Sequence, residues 1–473
     1  MPFLSGCARP VEPPPRLVVL GLDGATWDVI DPLIERGALP TIAKLKRQGA
    51  WAVLHSEPPL ASPVVWTTIF TGKGADEHGI DRWEAARSTN RRVKALWTVA
   101  NDAGQQVVIS NIPGTYPPDR LGGIEISGFP LPNMAAAVMA GVYDLRPLEQ
   151  SRIRHGGTAW EAGPAGKAGF HLLESGNGST VLVVTGSQKT HAVRLNDAWS
   201  DWIPWDNPAG AFRVKRIPGP DGPRLFVTPV FMRDLPFTAP PGYRERLQDG
   251  RPYVVEGLPW HHPMFNHEDV EAYRALFEHL LAVHDQHAAA IVELARGGGW
   301  NLFLHVFTLI DRISHRYWRY RSPANGTTDP AMVAAHDTRV EEAYVATDTA
   351  IGRLLEVIGP DVPVVLLSDH GFVGGVHDER GILLIAGPGV RHIALPPAHI
   401  RDVMPTLLYM ARLPVARDLR GQLLTAAFSP VTLAAHPPTW VPSHESTQTP
   451  RPASVETIDP ATREQLRSLG YLE

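Results

Sequence analysis

The chain has one cysteine in 473 residues. A single thiol cannot form an internal disulfide, and it excludes a metal cluster built on cysteine. Any metal site must come from His, Asp and Glu. An excess of either charge is also missing, since 44 basic against 49 acidic side chains leave a formal charge of −5. That balance lacks the basic footprint of a nucleic-acid binder, so no nucleic-acid polymer is expected as a partner. No uninterrupted apolar run approaches the ~20 residues that a membrane helix needs. What is there is ordinary for a globular protein and ample for a core, with 44% hydrophobic and 20% charged residues. At roughly 150 residues per domain, the length suits about three units, or one large domain carrying an insertion.

The cysteine stands in Leu4-Ser5-Gly6-Cys7, which resembles the box cleaved and lipidated in bacterial lipoproteins. That signal also needs a positive start and an apolar stretch of about 7–15 residues, more than the residues before Cys7 supply. Two readings follow. With a true start upstream, the protein is exported to the periplasm or cell envelope and attached to a membrane through a lipidated Cys7. With the N-terminus complete as given, the match is chance and the protein is cytoplasmic. The Pro-rich run at 9–15 favours a tether, so residues 1–15 are set apart as one.

Residues 16–23 (R-L-V-V-L-G-L-D) form an apolar run ending in an acid and a glycine, the pattern of a parallel strand buried on both faces. Residues 30–49 read as helical, with Pro40-Thr41 starting a second helix, and another helix opens after Ser62-Pro63. Residues 105–110 read as a strand and 111–118 as loop. From 133 to about 262 strand-like pieces alternate with Trp, Pro and Gly, including Trp199, Trp202 and Trp205. This is read as a β-rich insertion. A long amphipathic helix at 268–296 follows, then buried strands at 301–309 and 362–367 with one helix, 329–357, between them. The alternation on both sides argues for a doubly wound α/β fold, a mostly parallel sheet sandwiched by helices and interrupted by a β-rich cap. The expected division is core 16–132, cap 133–265, core 266–425 and an extended Pro/Ser/Thr-rich tail at 426–473.

Three strands end in potential metal ligands: the first at Asp23, the second running into Asp311 and His315, the third at Asp369-His370. His377 follows in a Gly-rich loop. In open α/β sheets, sites form beyond the carboxyl ends of the strands, so distant positions can converge. Each piece has a bland reading. A lone Asp after a strand is more often a cap or turn residue, and Asp-x-x-x-His also occurs as a surface pair. The Asp-His pair at a strand end is harder to excuse, because burying an acid costs several kcal/mol unless it is paired or bound to a metal. Taken together, the strand ends point to a metal site.

The set resembles the alkaline phosphatase superfamily, in particular its type I phosphodiesterase/nucleotide pyrophosphatase branch. The resemblance is carried by Gly21-Leu22-Asp23-Gly24, the stretch from Pro58 through Ser62-Pro63 to Trp66, Thr71-Gly72 with His78-Gly79-Ile80, Asp311 with His315, Ser368-Asp369-His370-Gly371, His377 before Gly381-Ile382-Leu383, and Asp402-Val403-Met404-Pro405-Thr406. It implies two divalent metals, zinc with manganese as the alternative, about 4 Å apart. By position one takes Asp311, His315 and His377, and the other takes Asp23, Asp369, His370 and the oxygen of Ser62. The implied nucleophile is Ser62, at the start of a helix whose N–H groups favour an anion; its bland reading is an N-cap. Thr67, Thr68 and Thr71 are rival hydroxyls further down that helix. The implied reaction is hydrolysis of a small phosphoester by two in-line displacements through a phospho-seryl enzyme.

One departure bears on specificity. The phosphate-binding Asn of the nucleotide pyrophosphatases falls where this chain has Trp83, and Asn111 is either its replacement or a turn former. Rival activities on the same scaffold are sulfatase, phosphonate hydrolase and phosphomonoesterase, with a non-catalytic binding protein as the remaining class. A sulfatase would carry Cys/Ser-x-Pro-x-Arg, whereas Ser62 is followed directly by Pro63. A monoesterase would call on extra cations, for which Lys73 and Arg82 are candidates. His279, His284 and His287 read as a polar helix face. His261 and His262 sit in a Pro-flanked junction between cap and core and are assigned no role, and the cap tryptophans read as packing ahead of a substrate wall.

Overall fold

The computed structural model describes residues 14–131, 135–136, 140–147, 158–162, 169–174, 180–185, 190–196, 198–206, 209–248, 252–255, 269–321 and 328–445. Cys7, His261, His262 and residues 446–473 lie outside them. The core strands are β1 (Leu17–Leu22), β2 (Ala50–His55), β3 (Val107–Ser110), β4 (Gly123–Ile126), β5 (Thr238–Ala239), β6 (Leu302–Phe307), β7 (Val364–Leu367), β8 (Arg380–Ala386), β9 (Ile393–Ala394) and β10 (Ala398–His399). They form one ten-stranded sheet in the order β5-β4-β3-β6-β1-β7-β8-β2-β9, with β10 also beside β2. The run β4-β3-β6-β1-β7 is parallel throughout, and β5 and β8 are antiparallel to their neighbours.

The apolar runs fold this way because both faces of the sheet are covered. In β1, Val18, Leu20 and Leu22 enter one hydrophobic cluster, while Leu17 and Val19 enter the other. The first cluster is closed by helices α1 (Trp27–Glu35), α2 (Pro40–Gln48), α4 (Val270–Arg296), α5 (Leu309–Arg321) and α6 (Arg339–Ile358). On the other face lie α3 (Ser62–Thr71) and the helices Leu96–Asp102 and Val403–Met410. This is the expected doubly wound sandwich. Strand periodicity of two sends alternate side chains to opposite layers, so a strand in such a sandwich is apolar at most positions, with buried His305 of β6 and Glu125 of β4 among the exceptions.

Between β4 and β5 the described residues build three small antiparallel sheets with a core of their own, including Phe170, Leu182, Phe212 and Leu225. Trp199 packs edge-on against Phe226, Trp202 against Phe231 and Trp205 against Phe212. Among the described residues no helix is long and apolar enough to cross a membrane.

Three local expectations need correction. His279, His284 and His287 do not form a polar face: all three are buried, because α4 is packed on the cap side as well as on the sheet side. His279 lies against the rings of Trp199 and Phe231, His284 against Phe307, and His287 stacks on Tyr253 and bonds Val254 O at 2.7 Å. The single helix expected at 329–357 is two, Pro330–His336 and Arg339–Ile358. The break falls at Asp337-Thr338, residue types that favour helix ends over interiors. Residues 426–445 are not an extended tail. Ser429 caps the helix Pro430–Ala435, Phe428 is buried against Tyr409, and Trp440–Val441 pairs in parallel with Val415–Ala416.

Candidate active site

Asp23, Asp311 and Asp369 follow β1, β6 and β7, three adjacent parallel strands at the middle of the sheet. The chain turns immediately after β1 because Gly24 adopts φ +73. Beyond β7, Ser368 pins the strand end: its hydroxyl donates to Ala25 O and accepts from Ile382 N, both at 2.8 Å. Asp311 occupies the first turn of α5, and His315 follows one turn later on the same helical face. His377 comes from a hairpin, Gly371–Val373 with Val376–Asp378, whose turn residues Gly374 and Gly375 have positive φ. Ser62 is the first residue of α3, with Pro63 behind it where a missing N–H costs nothing.

Each carboxylate spends one oxygen on a donor of the protein. Trp66 Nε1 donates to Asp23 Oδ2 at 3.2 Å, an Arg312 guanidinium nitrogen to Asp311 Oδ2 at 3.0 Å, and Gly24 N to Asp369 Oδ1 at 3.3 Å. The other three oxygens converge on His370 Nε2, with Asp23 Oδ1 and Asp369 Oδ2 at 3.5 Å and Asp311 Oδ1 at 3.9 Å. His315 Nε2 and His377 Nε2 approach Asp311 Oδ1 at 3.3 and 3.5 Å and each other at 3.0 Å. Ser62 Oγ reaches Asp23 Oδ1 through a long hydrogen bond of 3.4 Å. All the sequence-predicted ligands and Ser62 therefore meet in one place.

The imidazoles are oriented for ligation. His377 Nδ1 faces Leu60 O at 2.8 Å and His370 Nδ1 faces Gly371 O at 3.1 Å. A carbonyl only accepts, so each Nδ1 carries a proton and Nε2 is the atom each ring presents to the cluster. Three carboxyl groups share one buried site, and their titration reflects it. Burial, then repulsion by Asp369 and Asp311, raises the Asp23 carboxyl well above its usual range. Burial and Asp311 push Asp369 up to about 7. Burial also works against the charge of Asp311, but His315, His377 and Arg312 outweigh it and hold that carboxyl well below its usual range. Burial, then the charge of His377, lowers His370 to about 3. Three buried polar atoms aimed into the cluster, Asp311 Oδ1, Asp369 Oδ2 and His370 Nε2, have no hydrogen-bond partner among the described residues. Buried orphans of this kind call for an unseen ligand. Two ligand groups, Asp23/Asp369/His370 and Asp311/His370/His377, each gather their donor atoms within 4.8 Å. The donor set fits hard or borderline divalent ions.

Other candidates are placed elsewhere. Lys73 Nζ donates to Asp418 O at 2.6 Å and pairs with Asp418 and Glu77, and Arg82 pairs with Asp81 and Glu84. Trp83 is buried against Phe129. Asn111 is a turn former: it adopts φ +58 and its side chain donates to Val306 O at 2.9 Å. Thr67, Thr68 and Thr71 return their hydroxyls to carbonyls one turn back. His78, lowered to about 3 by burial, supports α3 by meeting Thr68 Oγ1 at 3.1 Å. Sequence reasoning missed Arg312 and Trp66 as partners of the ligands. The available signals were that Arg312 directly follows Asp311 and that Trp66 stands one helical turn beyond Ser62.

A doubly wound sheet with carboxylates, imidazoles and a helix-opening serine beyond its central strands defines a hydrolase of the alkaline phosphatase superfamily. Within it, the sequence model of the family described as type I phosphodiesterase/nucleotide pyrophosphatase matches residues 17–384, and the chain belongs to that family. No curated protein matches the chain. Murine ectonucleotide pyrophosphatase/phosphodiesterase 5, in complex with AMP, superposes with a TM-score of 0.43 at 10% identity over 88% of this chain and 100% of that one. The phosphonate monoester hydrolase of Silicibacter pomeroyi gives 0.42 at 15% identity, over 87% of this chain and 76% of its own. A 2-O GAG sulfatase gives 0.43 at 10% identity, over 91% and 76%.

Proposed function

We propose that the chain is a two-metal phosphodiesterase that works through a phospho-seryl intermediate on Ser62. The observation that carries the reading is the convergence of three carboxylate oxygens on His370 Nε2 beside Ser62. Asp23, Asp369 and His370 would hold one divalent ion, zinc or manganese, and Asp311, His315 and His377 the other. When bound, such ions supply Lewis acidity and neutralise charge on the transferred group. The protein's own part is placement. Ser62 turns its hydroxyl proton onto Asp23 Oδ1, which leaves its oxygen lone pairs for attack on phosphorus. The start of the ten-residue helix α3 adds favourable backbone dipoles for an anion. As the Ser62 Oγ–P bond forms, the serine proton is lost and the P–O bond to the first alcohol breaks, that alcohol leaving with a proton. Water then breaks the Oγ–P bond, which restores the Ser62 hydroxyl and releases the second alcohol as its phosphate monoester. Most of the rate comes from positioning and charge neutralisation.

A diester carries one negative charge and a monoester up to two. Lys73 and Arg82, the cations a second charge would call on, are tied to acids, and Arg312 is bound to Asp311. A diester is therefore the better fit. The test is kcat/KM for an aryl phosphodiester against the matching monoester, with zinc or manganese added. The expected ratio is about 10-fold or more in favour of the diester, about 1.4 kcal/mol. An equal or reversed ratio places the protein with the phosphatases. Export and lipid attachment through Cys7 stay a separate proposal, based on the Leu4–Cys7 box; a native protein that leaves the membrane fraction unchanged on Cys7→Ser refutes it.

A further inference from the structure

Asp23 is held by two residues of one helix. Ser62 Oγ reaches Oδ1 at 3.4 Å and Trp66 Nε1 reaches Oδ2 at 3.2 Å, one turn apart on α3. Residues four apart lie on one helical face, so the helix that presents the hydroxyl also presents the indole, and both meet a single carboxylate. The Trp66 ring is fully buried and stacks on Phe70 with centroids 5.9 Å apart, which limits its freedom to turn away.

The sequence makes room for this contact at some cost. Gly21 is the fifth of the six residues of β1, and glycine weakens a strand. Its φ is not in the left-handed region, so backbone freedom does not explain it. Space does: a Cβ at position 21 would lie 2.4 Å from the outer edge of the Trp66 ring. The strand gives up a side chain so that the indole can reach the acid at the strand end.

We propose that Trp66 is a positioning residue of the site. Its N–H holds Oδ2 of Asp23 and thereby commits Oδ1 to the cluster, which locks the helix carrying Ser62 to the ligand set. The inference rests on the proposed metal-dependent function. Partners of this kind shift metal affinity by about 10- to 100-fold when removed.

The test measures zinc affinity of the full chain by competition with a chromophoric chelator, with no substrate present. Trp66→Phe, which keeps an aromatic ring and loses the donor, is expected to weaken zinc binding about 10-fold. In an Asp23→Ala background the same change is expected to add nothing, because the indole then has no carboxylate to hold. An equal loss in both backgrounds assigns the effect to packing and overturns the inference, as does an affinity within about two-fold of the unaltered chain. If Trp66→Phe does not fold, 3-benzothienylalanine at position 66 keeps the bicyclic shape without the N–H, and the same outcomes decide. Absence of both zinc and manganese binding by the unaltered chain sinks the proposed function, whereas metal binding that the position-66 change leaves intact sinks this inference alone.

Discussion

Replacing His279 by Phe should make the protein more resistant to acid without touching the active site. His279 lies between Trp199 and Phe231 at the contact of α4 with the cap, and neither ring nitrogen has a hydrogen-bond partner among the described residues. Burial, with a smaller contribution from the Arg213 cation, lowers its pKa from 6.5 to about 3. The sign follows directly. The native state holds this imidazole neutral and the unfolded state protonates it, so the stability is whole above about pH 6.5 and is lost as the pH falls toward 3. At pH 5 the loss is about 2 kcal/mol for this residue, from 1.36 kcal/mol for each unit below 6.5. His284 and His287, each lowered to about 4 chiefly by burial, behave alike. The three together cost about 6 kcal/mol at pH 5, on the scale of a whole domain's stability of about 5–15 kcal/mol. His279→Phe keeps the aromatic stack and removes one proton-binding site from the unfolded state. At pH 7.5 its stability should match or slightly exceed that of the unaltered protein, since two unsatisfied nitrogens leave the core. The assay is urea unfolding followed by tryptophan fluorescence at pH 7.5 and 5.0. The variant should lose about 2 kcal/mol less between those pH values. An identical loss in both proteins would refute the reasoning.

Ser62→Ala should keep the zinc content of the unaltered protein and lower turnover of an aryl phosphodiester by about 10³-fold or more; near-normal turnover in the zinc-loaded variant removes Ser62 as nucleophile. Stripping the unaltered protein with a chelator should abolish activity, and added zinc or manganese should restore it. Activity that survives complete metal removal points to a different chemistry.

The strands and the acids at their ends were legible because burial on both faces leaves a continuous apolar run, and a charge directly after such a run stands out. That pattern predicted β1 with Asp23 and β7 with Asp369-His370. Periodicity failed at α4, where a 3.6-residue repeat identifies faces but does not say which of them meets solvent. The cap covers the face carrying His279, so an imidazole there is as hidden as a leucine. Composition misled at 426–445, where Pro and Ser suggested a loose tail while Phe428 and Trp440–Val441 find partners far back in the chain. The donors to Asp23 and Asp311 left only a hint of position, Arg312 next to Asp311 and Trp66 one turn beyond Ser62. Whether Trp66 and Arg312 point at a carboxylate depends on how α3 and α5 lie against the sheet, which no local pattern encodes.

The position of β1 in the sheet also sets the order in which the molecule can be made. Its two hydrogen-bonded neighbours are β6 and β7, and both are translated long after it. At a synthesis rate of about 5–20 residues per second, the roughly 280 residues that separate β1 from β6 take on the order of 15–60 s to appear. Through that interval the nascent chain carries a strand that is apolar on both faces and bare on both edges, the kind of segment that pairs with whatever edge it meets. Asp23 waits with it, since the other carboxylates of its cluster arrive on the C-terminal half. Production of this protein therefore depends on how well the cell shields the first strand until the second half of the chain has been synthesised.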